Sequence, residues 1–132
     1  RKRQPGPFRL ALRHYRDFLS AAPAIAAGDF NNNYYWDKPG YLINHSYAVA
    51  ALERHGLVSA YHWARGEAQG AETEPTHYWR DRRKDGPTYH IDYIFLPGAW
   101  AGGMRELQVG DFESWCGNGL SDHVPVVADV AF

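Results

Sequence analysis

Five polar residues stand in or beside apolar segments of this sequence, where a charged side chain needs a specific partner. They are Asp29, Asn31, Asp92, Asp122 and His123. Together they supply what hydrolysis of a phosphate ester requires: carboxylate oxygens for a hard divalent cation, a base for the attacking water, and donors for the developing charge. A histidine held by a carboxylate can donate a hydrogen bond to a phosphoryl oxygen, because the carboxylate fixes the tautomer of the ring.

The first of these segments is a short apolar run over residues 24–27 that ends at Gly28. It predicts a buried strand, because it is too short for a free-standing helix. Side chains alternate along a strand, so we expect Asp29 and Asn31 to leave its end on the same side. The carboxyl ends of strands are where ligands bind in α/β sheets, although this segment alone fits an ordinary Asn-rich turn equally well.

The second segment, residues 88–96, is rich in β-branched and aromatic side chains and predicts one continuous strand. Asp92 lies in its interior, where aspartate is uncommon. A buried carboxylate is costly unless it is paired, so Asp92 needs a histidine, an arginine or a metal ion as its partner.

The third segment places Asp122 and His123 on a turn before a valine-rich final strand. Pro125 suits the first residues of that strand, because proline donates no ladder hydrogen bond. The other histidines singled out, His45, His55 and His62, lack metal-ligand spacing, so we expect capping and surface roles for them.

The remaining pattern predicts an alternation of helices and strands, which is typical of a layered α/β or α+β fold. Helices are expected over residues 8–20 and 44–54, the second capped by Asn44. Strands are expected over 57–62, 76–79 and 104–109, with a Pro/Gly loop over 97–103 and an irregular segment over 111–119 that contains a buried, structural Cys116.

Two aromatic segments leave their role open. The loop over residues 34–43 fits contact with a base or ring as well as it fits packing. Trp79 stands before a charged loop over residues 80–87, where a solvated turn with paired charges is favoured over a nucleic-acid contact.

Composition narrows the function classes. The chain has 132 residues, which corresponds to one domain or part of one. Its net charge of −1 indicates no strong electrostatic attraction to nucleic acid. A single cysteine excludes an intramolecular disulfide, and no apolar run approaches the length of a membrane span. We therefore expect a cytoplasmic protein with no membrane span. Residues 1–7 are expected to form a basic linker or tail.

Three motifs in this order resemble those of the endonuclease/exonuclease/phosphatase superfamily, which includes pancreatic-type deoxyribonuclease, exonuclease III-like abasic-site endonucleases, sphingomyelinases and inositol-polyphosphate 5-phosphatases. The motifs are Gly28-Asp29-Phe30-Asn31, Ile91-Asp92-Tyr93-Ile94 and Ser121-Asp122-His123-Val124-Pro125. The resemblance spans residues 8–132. It implies an α/β (α+β) fold, namely the C-terminal half of a four-layer α/β sandwich with mixed, largely antiparallel sheets.

The resemblance also implies roles for the five residues. Asp29 would orient or deprotonate the attacking water, and Asn31 would contact the phosphate. Asp92 would pair with the catalytic His123, and Asp122 would lie next to the metal. The implied activity is that of a Mg²⁺-dependent (or Mn²⁺-dependent) phosphodiesterase or endonuclease-like hydrolase. Its substrate would be a phosphodiester or phosphomonoester, with DNA, RNA, a lipid head group and a sugar phosphate all open.

The sequence departs from the superfamily in length. The superfamily's N-terminal half supplies an Asn and the Glu that is its principal Mg²⁺ ligand, and neither motif is present. We therefore expect this chain to be the C-terminal half of a longer enzyme and to be inactive alone. Two alternatives stay open: a binding or scaffold module that has lost catalysis, and a half-domain that self-associates through its exposed face.

Overall fold

The computed structural model describes residues 5–79 and 83–131 and confirms a mixed fold of helices and antiparallel sheets. The helices are α1 (Pro7–His14), α2 (Arg16–Ala21), α3 (His45–Arg54), α4 (Ala60–Arg65), α5 (Gly98–Ala101) and α6 (Phe112–Trp115). The strands are β1 (Ala26–Asp29), β2 (Leu57–Ser59), β3 (His77–Tyr78), β4 (Thr88–Tyr89), β5 (Asp92–Pro97), β6 (Met104–Val109) and β7 (Val126–Val130). None of the helices described for this chain combines the length and apolarity needed to cross a membrane.

The main sheet has the strand order β1-β5-β2, and both pairs are antiparallel. Helix α3 packs on it through Val49 and Leu52, which share a buried cluster with Tyr93 and Phe95 of β5. Burial of one such side chain contributes about 1.5–3 kcal/mol. This cluster fixes β5 as the central strand and so fixes the position of Asp92, its first residue.

A second buried cluster joins β5 to the β6–β7 pair. It contains Tyr61 of α4, Leu96 of β5 and Leu107 of β6. Strands β6 and β7 are antiparallel, with Val109 opposite Val126. The chain therefore enters β7 from a turn that carries Asp122 and His123 at a defined distance from β5.

The strand predicted over residues 88–96 is divided in two. Strand β4 pairs with β3, whereas β5 pairs with β1 and β2. The change of partner occurs at His90 and Ile91, where the Ile91 carbonyl accepts a hydrogen bond from the Phe30 N–H (2.9 Å). One apolar segment thus crosses between two sheets, and Asp92 lies directly after the crossing.

Other boundaries also differ from the predictions. The helix expected over residues 8–20 is broken at Tyr15, whose φ of −91° and ψ of 13° leave the helical region. The strand expected over residues 57–62 ends at Ser59, and α4 follows because Ala60 and Tyr61 turn into the second cluster. Short helices, α5 and α6, occupy segments that were expected to be irregular, and Cys116 is buried as predicted.

The cap of α3 is not the side chain of Asn44, which instead bonds to the backbone of Lys38. Asp37 caps the helix: its two carboxylate oxygens accept from the N–H groups of His45 (2.6 Å) and Ser46 (3.0 Å). A carboxylate at this end is favoured because it satisfies unpaired donors and complements the helix dipole. The prediction of an Asn44 cap was wrong because the better acceptor is distant in sequence.

Candidate functional site

Asp92 and His123 form the centre of the candidate site. The Nδ1 atom of His123 lies 2.8 Å from Oδ2 of Asp92. An ionised carboxylate can only accept, so Nδ1 carries the proton and Nε2 remains for another partner. Both side chains are partly exposed, His123 by 29% and Asp92 by 21%. The partner that the sequence required for Asp92 is therefore a histidine 31 positions away.

Thr76 positions this pair through hydrogen bonds of its hydroxyl group. Its hydroxyl is fully buried; it donates to Oδ2 of Asp92 (2.6 Å) and accepts from the backbone N–H groups of Ile91 (3.0 Å) and Asp92 (3.1 Å). The threonine thus fixes both the carboxylate and the backbone that carries it. Sequence reasoning did not select Thr76, because its only signal was a hydroxyl at the start of a strand-like segment.

Asp29 lies directly opposite Asp92 across the β1–β5 ladder. Directly opposed residues of an antiparallel pair project to the same face of the sheet, so the two carboxylates share one side. Gly28 precedes Asp29 with a φ of +139°, a conformation that a residue with a Cβ rarely adopts. The local backbone therefore requires this glycine, and Asp29 is presented at the surface.

Asn31 follows in the left-handed region, with a φ of +48°. Asparagine tolerates this region better than most residues, and its N–H donates to Oδ1 of Asp29 (2.7 Å). Strand β1 ends at Asp29, so strand alternation does not set the direction of Asn31 as the sequence suggested. A turn closed by Asp29 sets it instead, which leaves Asn31 beside the carboxylate.

Asp122 is exposed on the turn before β7, and its Oδ2 lies 3.5 Å from Nε2 of His77. The imidazole rings of His77 and His123 are 4.6 Å apart. His77, Asp122 and His123 each place one possible metal-ligating atom within 4.8 Å of the others. Sequence reasoning did not select His77, because it is 45 residues from Asp122 and shares no motif with it.

A buried polar network lies beside the candidate site. The Nδ2 group of Asn33 donates to the carbonyl of His90 (2.9 Å), to the hydroxyl of Tyr93 (3.0 Å) and to Oε2 of Glu72 (3.1 Å). Glu72 also lies 2.9 Å from Nε2 of His62. Burial alone would raise the pKa of Glu72, but hydrogen bonds from His62, the Gly70 N–H and Asn33 lower it to about 2.

Two of the histidines expected in capping or surface roles, His45 and His62, lie largely in the interior. His62 contacts Ser59, the N-cap of α4, and also pairs with Glu72, with its side chain 11% exposed. His45 is fully buried, and burial lowers its pKa to about 4. The surface assignment was wrong for both because aromatic side chains enclose them: Tyr93 stacks on each ring.

Aromatic side chains extend outward from the pair. Tyr89 stacks on His77 with centroids 6.1 Å apart, and Trp36 packs on Tyr89 at 4.8 Å. The ring of Trp79 lies 6.4 Å from that of Tyr89, and Trp79 is 45% exposed. Trp36 therefore both packs and remains partly exposed, and residues 80–82 of the charged loop lie outside the described residues.

No protein-family profile matches the sequence, and no curated protein matches it. Among solved structures, the chain is similar to a 3′ phosphatase, NExo from Neisseria, bound to a product DNA hairpin, with 20% identity and a TM-score of 0.70. It is also similar to the 3′-5′ exonuclease NExo from Neisseria meningitidis, with 20% identity and a TM-score of 0.66. Each match covers 95% of this chain and 52% of the other, so the chain shares their fold over about half of their length.

Proposed function

We propose that this chain is part of a phosphoesterase of the endonuclease/exonuclease/phosphatase superfamily, which hydrolyses a phosphate ester of a nucleic acid. The observation that carries the proposal is the Asp92–His123 pair, buttressed by Thr76 and placed beside Asp29 on one sheet face. The two similar structures, a 3′ phosphatase bound to a product DNA hairpin and a 3′-5′ exonuclease, support a nucleic acid as the substrate.

Asp92 fixes the tautomer of His123, so Nε2 of His123 faces the substrate and can donate to a phosphoryl oxygen as negative charge develops there. Asp29 orients the attacking water and takes its proton. Its Oδ1 already accepts from the Asn31 N–H, which leaves Oδ2 for the water. The Asn31 side-chain amide supplies a further donor to the phosphate. A positioned acid or base of this kind contributes about 10²–10⁴-fold to the rate.

An exposed carboxylate next to the pair matches the ligand preference of Mg²⁺. Mg²⁺ takes oxygen ligands and is usually held by one or two carboxylates together with substrate phosphates. Asp122 is an exposed carboxylate, so it fits this requirement and would hold Mg²⁺ or Mn²⁺ together with oxygen atoms of the substrate. When bound, the ion would neutralise phosphate charge and favour ionisation of a water.

We further propose that hydrolysis belongs to a longer protein in which a preceding half completes the metal site. The coverage of 52% of each similar structure supports this, as does the absence of a glutamate beside Asp29 and Asp92 in the sheet register. The 132-residue chain alone is then expected to bind Mg²⁺ weakly and to hydrolyse nothing.

The test compares the longer protein with the 132-residue chain on three substrates: a DNA strand with a 3′ phosphate, one with a 3′ hydroxyl, and bis-p-nitrophenyl phosphate. We expect Mg²⁺-dependent hydrolysis by the longer protein, abolished by a chelator, and a kcat at least about 100-fold lower in His123→Ala. His14→Ala is the matched control, since His14 is exposed and lies on α1, which carries neither member of the pair. Equal turnover by wild type and His123→Ala would contradict the proposal.

We keep self-association as a second proposal. Phe18 and Ile25 are large apolar side chains that are 68% and 54% exposed. They would contribute to an interface only as part of a contiguous apolar patch. Light scattering of the 132-residue chain distinguishes the cases: a dimer supports self-association, and a monomer at micromolar concentration rejects it.

A further inference from the structure

His77, Asp122 and His123 form a cluster with two imidazole nitrogens and one carboxylate, whose ligating atoms lie within 4.8 Å of one another. We propose that this cluster is a binding site for a divalent transition-metal ion such as Zn²⁺, which would compete for Asp122 with the Mg²⁺ that the phosphoesterase would use. Imidazole nitrogen suits zinc, cobalt and nickel, whereas Mg²⁺ prefers oxygen, so the donor set selects the former.

The spacing of the donors fits a tetrahedral ion. Two ligands that each lie about 2.0–2.2 Å from Zn²⁺ are about 3.4 Å apart in a tetrahedron. The Nε2 atom of His77 and the Oδ2 atom of Asp122 are 3.5 Å apart. The ring of His123 is 4.6 Å from that of His77, so small side-chain rotations complete the set.

The partner of His123 is the one that a metal-binding histidine usually has. A ligating histidine commonly donates its other ring N–H to a carboxylate, which fixes the tautomer and raises the basicity of the ligating nitrogen. Asp92 accepts from Nδ1 of His123 at 2.8 Å and is itself held by Thr76. This arrangement is independent of the cluster's spacing and leaves Nε2 for the ion.

Backbone hydrogen bonds hold the two ligand-bearing segments together before any ion binds. His77 and His123 are opposed in an antiparallel bridge, and the Tyr78 N–H donates to the Asp122 carbonyl (2.8 Å). The Val124 N–H donates to the Thr76 carbonyl (2.9 Å). Such preorganisation lowers the cost of ordering the ligands on binding.

Packing alone does not require a histidine at position 77. Its Nδ1 is buried and has no hydrogen-bond partner within residues 5–79 and 83–131, and its ring stacks on Tyr89. A phenylalanine would make the same stack without an unpartnered buried nitrogen. The polar contact of the His77 ring is made through Nε2, which lies 3.5 Å from Oδ2 of Asp122.

Occupancy of this site has a consequence that rests on the proposed function. The ion would engage Asp122 and Nε2 of His123, and the latter is the atom assigned to the phosphoryl oxygen. Binding of Zn²⁺ would therefore inhibit hydrolysis by withdrawing His123 from the substrate.

The binding test is a titration of the full chain with Co²⁺, whose visible absorption reports nitrogen ligation in a tetrahedral site. We expect one Co²⁺ per chain, displaced by Zn²⁺ and not by Mg²⁺. His77→Phe should weaken binding at least about tenfold while keeping the stack on Tyr89, and His14→Ala should leave binding unchanged. Absence of the absorption band, or equal affinity in wild type and His77→Phe, would overturn the site.

The inhibition test measures Mg²⁺-dependent hydrolysis by the longer protein as Zn²⁺ is added. Wild type should lose activity, whereas His77→Phe should keep its basal rate and resist Zn²⁺. Equal inhibition of both proteins, or stimulation of wild type, would reject the inhibitory role. If neither protein hydrolyses any substrate, the proposed function fails, and the Co²⁺ titration still decides the metal site.

Discussion

Asp29 and Asp92 are direct cross-strand neighbours: β1 and β5 are antiparallel, and these two residues form the last pair of their ladder. Like charges in opposed positions destabilise a sheet. The fold accommodates the pair by giving each carboxylate its own partners, Asn31 for Asp29 and Thr76 with His123 for Asp92. The proposed phosphoesterase site uses both carboxylates on one sheet face, and their mutual repulsion is the energetic penalty of that placement.

Replacement of Asp29 by Asn should therefore separate stability from activity. Asn retains an acceptor for the Asn31 N–H and removes the like charge, so the free energy of unfolding should rise by about 0.2–1 kcal/mol. Hydrolysis by the longer protein should fall at least about 100-fold, because the amide cannot take a proton from water. Denaturant unfolding and kcat measure the two effects; a loss of stability with retained kcat would contradict the account.

Thr76 is expected to act through Asp92. In Thr76→Val the N–H groups of Ile91 and Asp92 and the Asp92 carboxylate each lose a buried partner, which should lower the free energy of unfolding by about 1–3 kcal/mol. Thr76→Ser keeps the hydroxyl and is the matched control. Denaturant titrations should show a large loss of unfolding free energy for Val and a small one for Ser. A small loss for Val with a large loss for Ser would mean that the methyl group, not the hydroxyl, provides the stabilisation.

His45 makes the fold sensitive to acid. Burial lowers its pKa to about 4 from an ordinary value of 6.5, so between these values the unfolded chain binds more protons than the folded chain. The contribution of neutral His45 to the free energy of unfolding is therefore fully present above pH 6.5. It falls as the pH drops toward 4, by about 3 kcal/mol in total. His45→Phe should remove this slope, because phenylalanine does not bind a proton in this range. Thermal unfolding between pH 4 and 7 measures it, with His14→Ala as control; an unchanged slope would exclude His45 as its source.

Glu72 makes the free energy of unfolding depend on pH in a second, lower range. Its pKa is about 2 when folded and 4.5 ordinarily, so its contribution is present above pH 4.5 and is lost as the pH falls toward 2. Glu72→Gln should lower the free energy of unfolding at pH 7 by about 1–3 kcal/mol, since an amide places a donor against Asn33 or His62. It should also flatten the pH dependence below 4.5. Stability equal to wild type at pH 7 would show that the network around Asn33 contributes little.

The sequence predicted features that depend on a local pattern of residues. It did not predict the residues whose roles come from contacts between separate segments of the chain. Asp92 was recognised because a carboxylate in an apolar strand needs a partner. By contrast, Thr76 and His77 carry no pattern of their own. Thr76 gains its role from the hydrogen bond to Asp92, and His77 from the bridge to His123. Asp37 displaced Asn44 as the α3 cap for the same reason: the chain between them folds back.

The division of residues 88–96 shows a further limit. Alternation predicted one strand, but a period of two cannot show that Tyr89 and Asp92 belong to different sheets. The strand divides at Ile91 because its N–H donates to the Thr76 hydroxyl and its carbonyl accepts from the Phe30 N–H. Both contacts come from segments far away in the sequence.

The central claim is that Asp92 acts through His123, and a double-mutant cycle tests it most directly. The kcat/KM of the longer protein on a 3′-phosphorylated DNA strand would be measured for Asp92→Asn, His123→Ala and the double variant. Residues that act as one unit give non-additive losses. The account predicts that each single variant loses at least about 100-fold and that the double variant loses little more than His123→Ala alone. Losses that multiply in the double variant, or a single variant with wild-type kcat/KM, would contradict it.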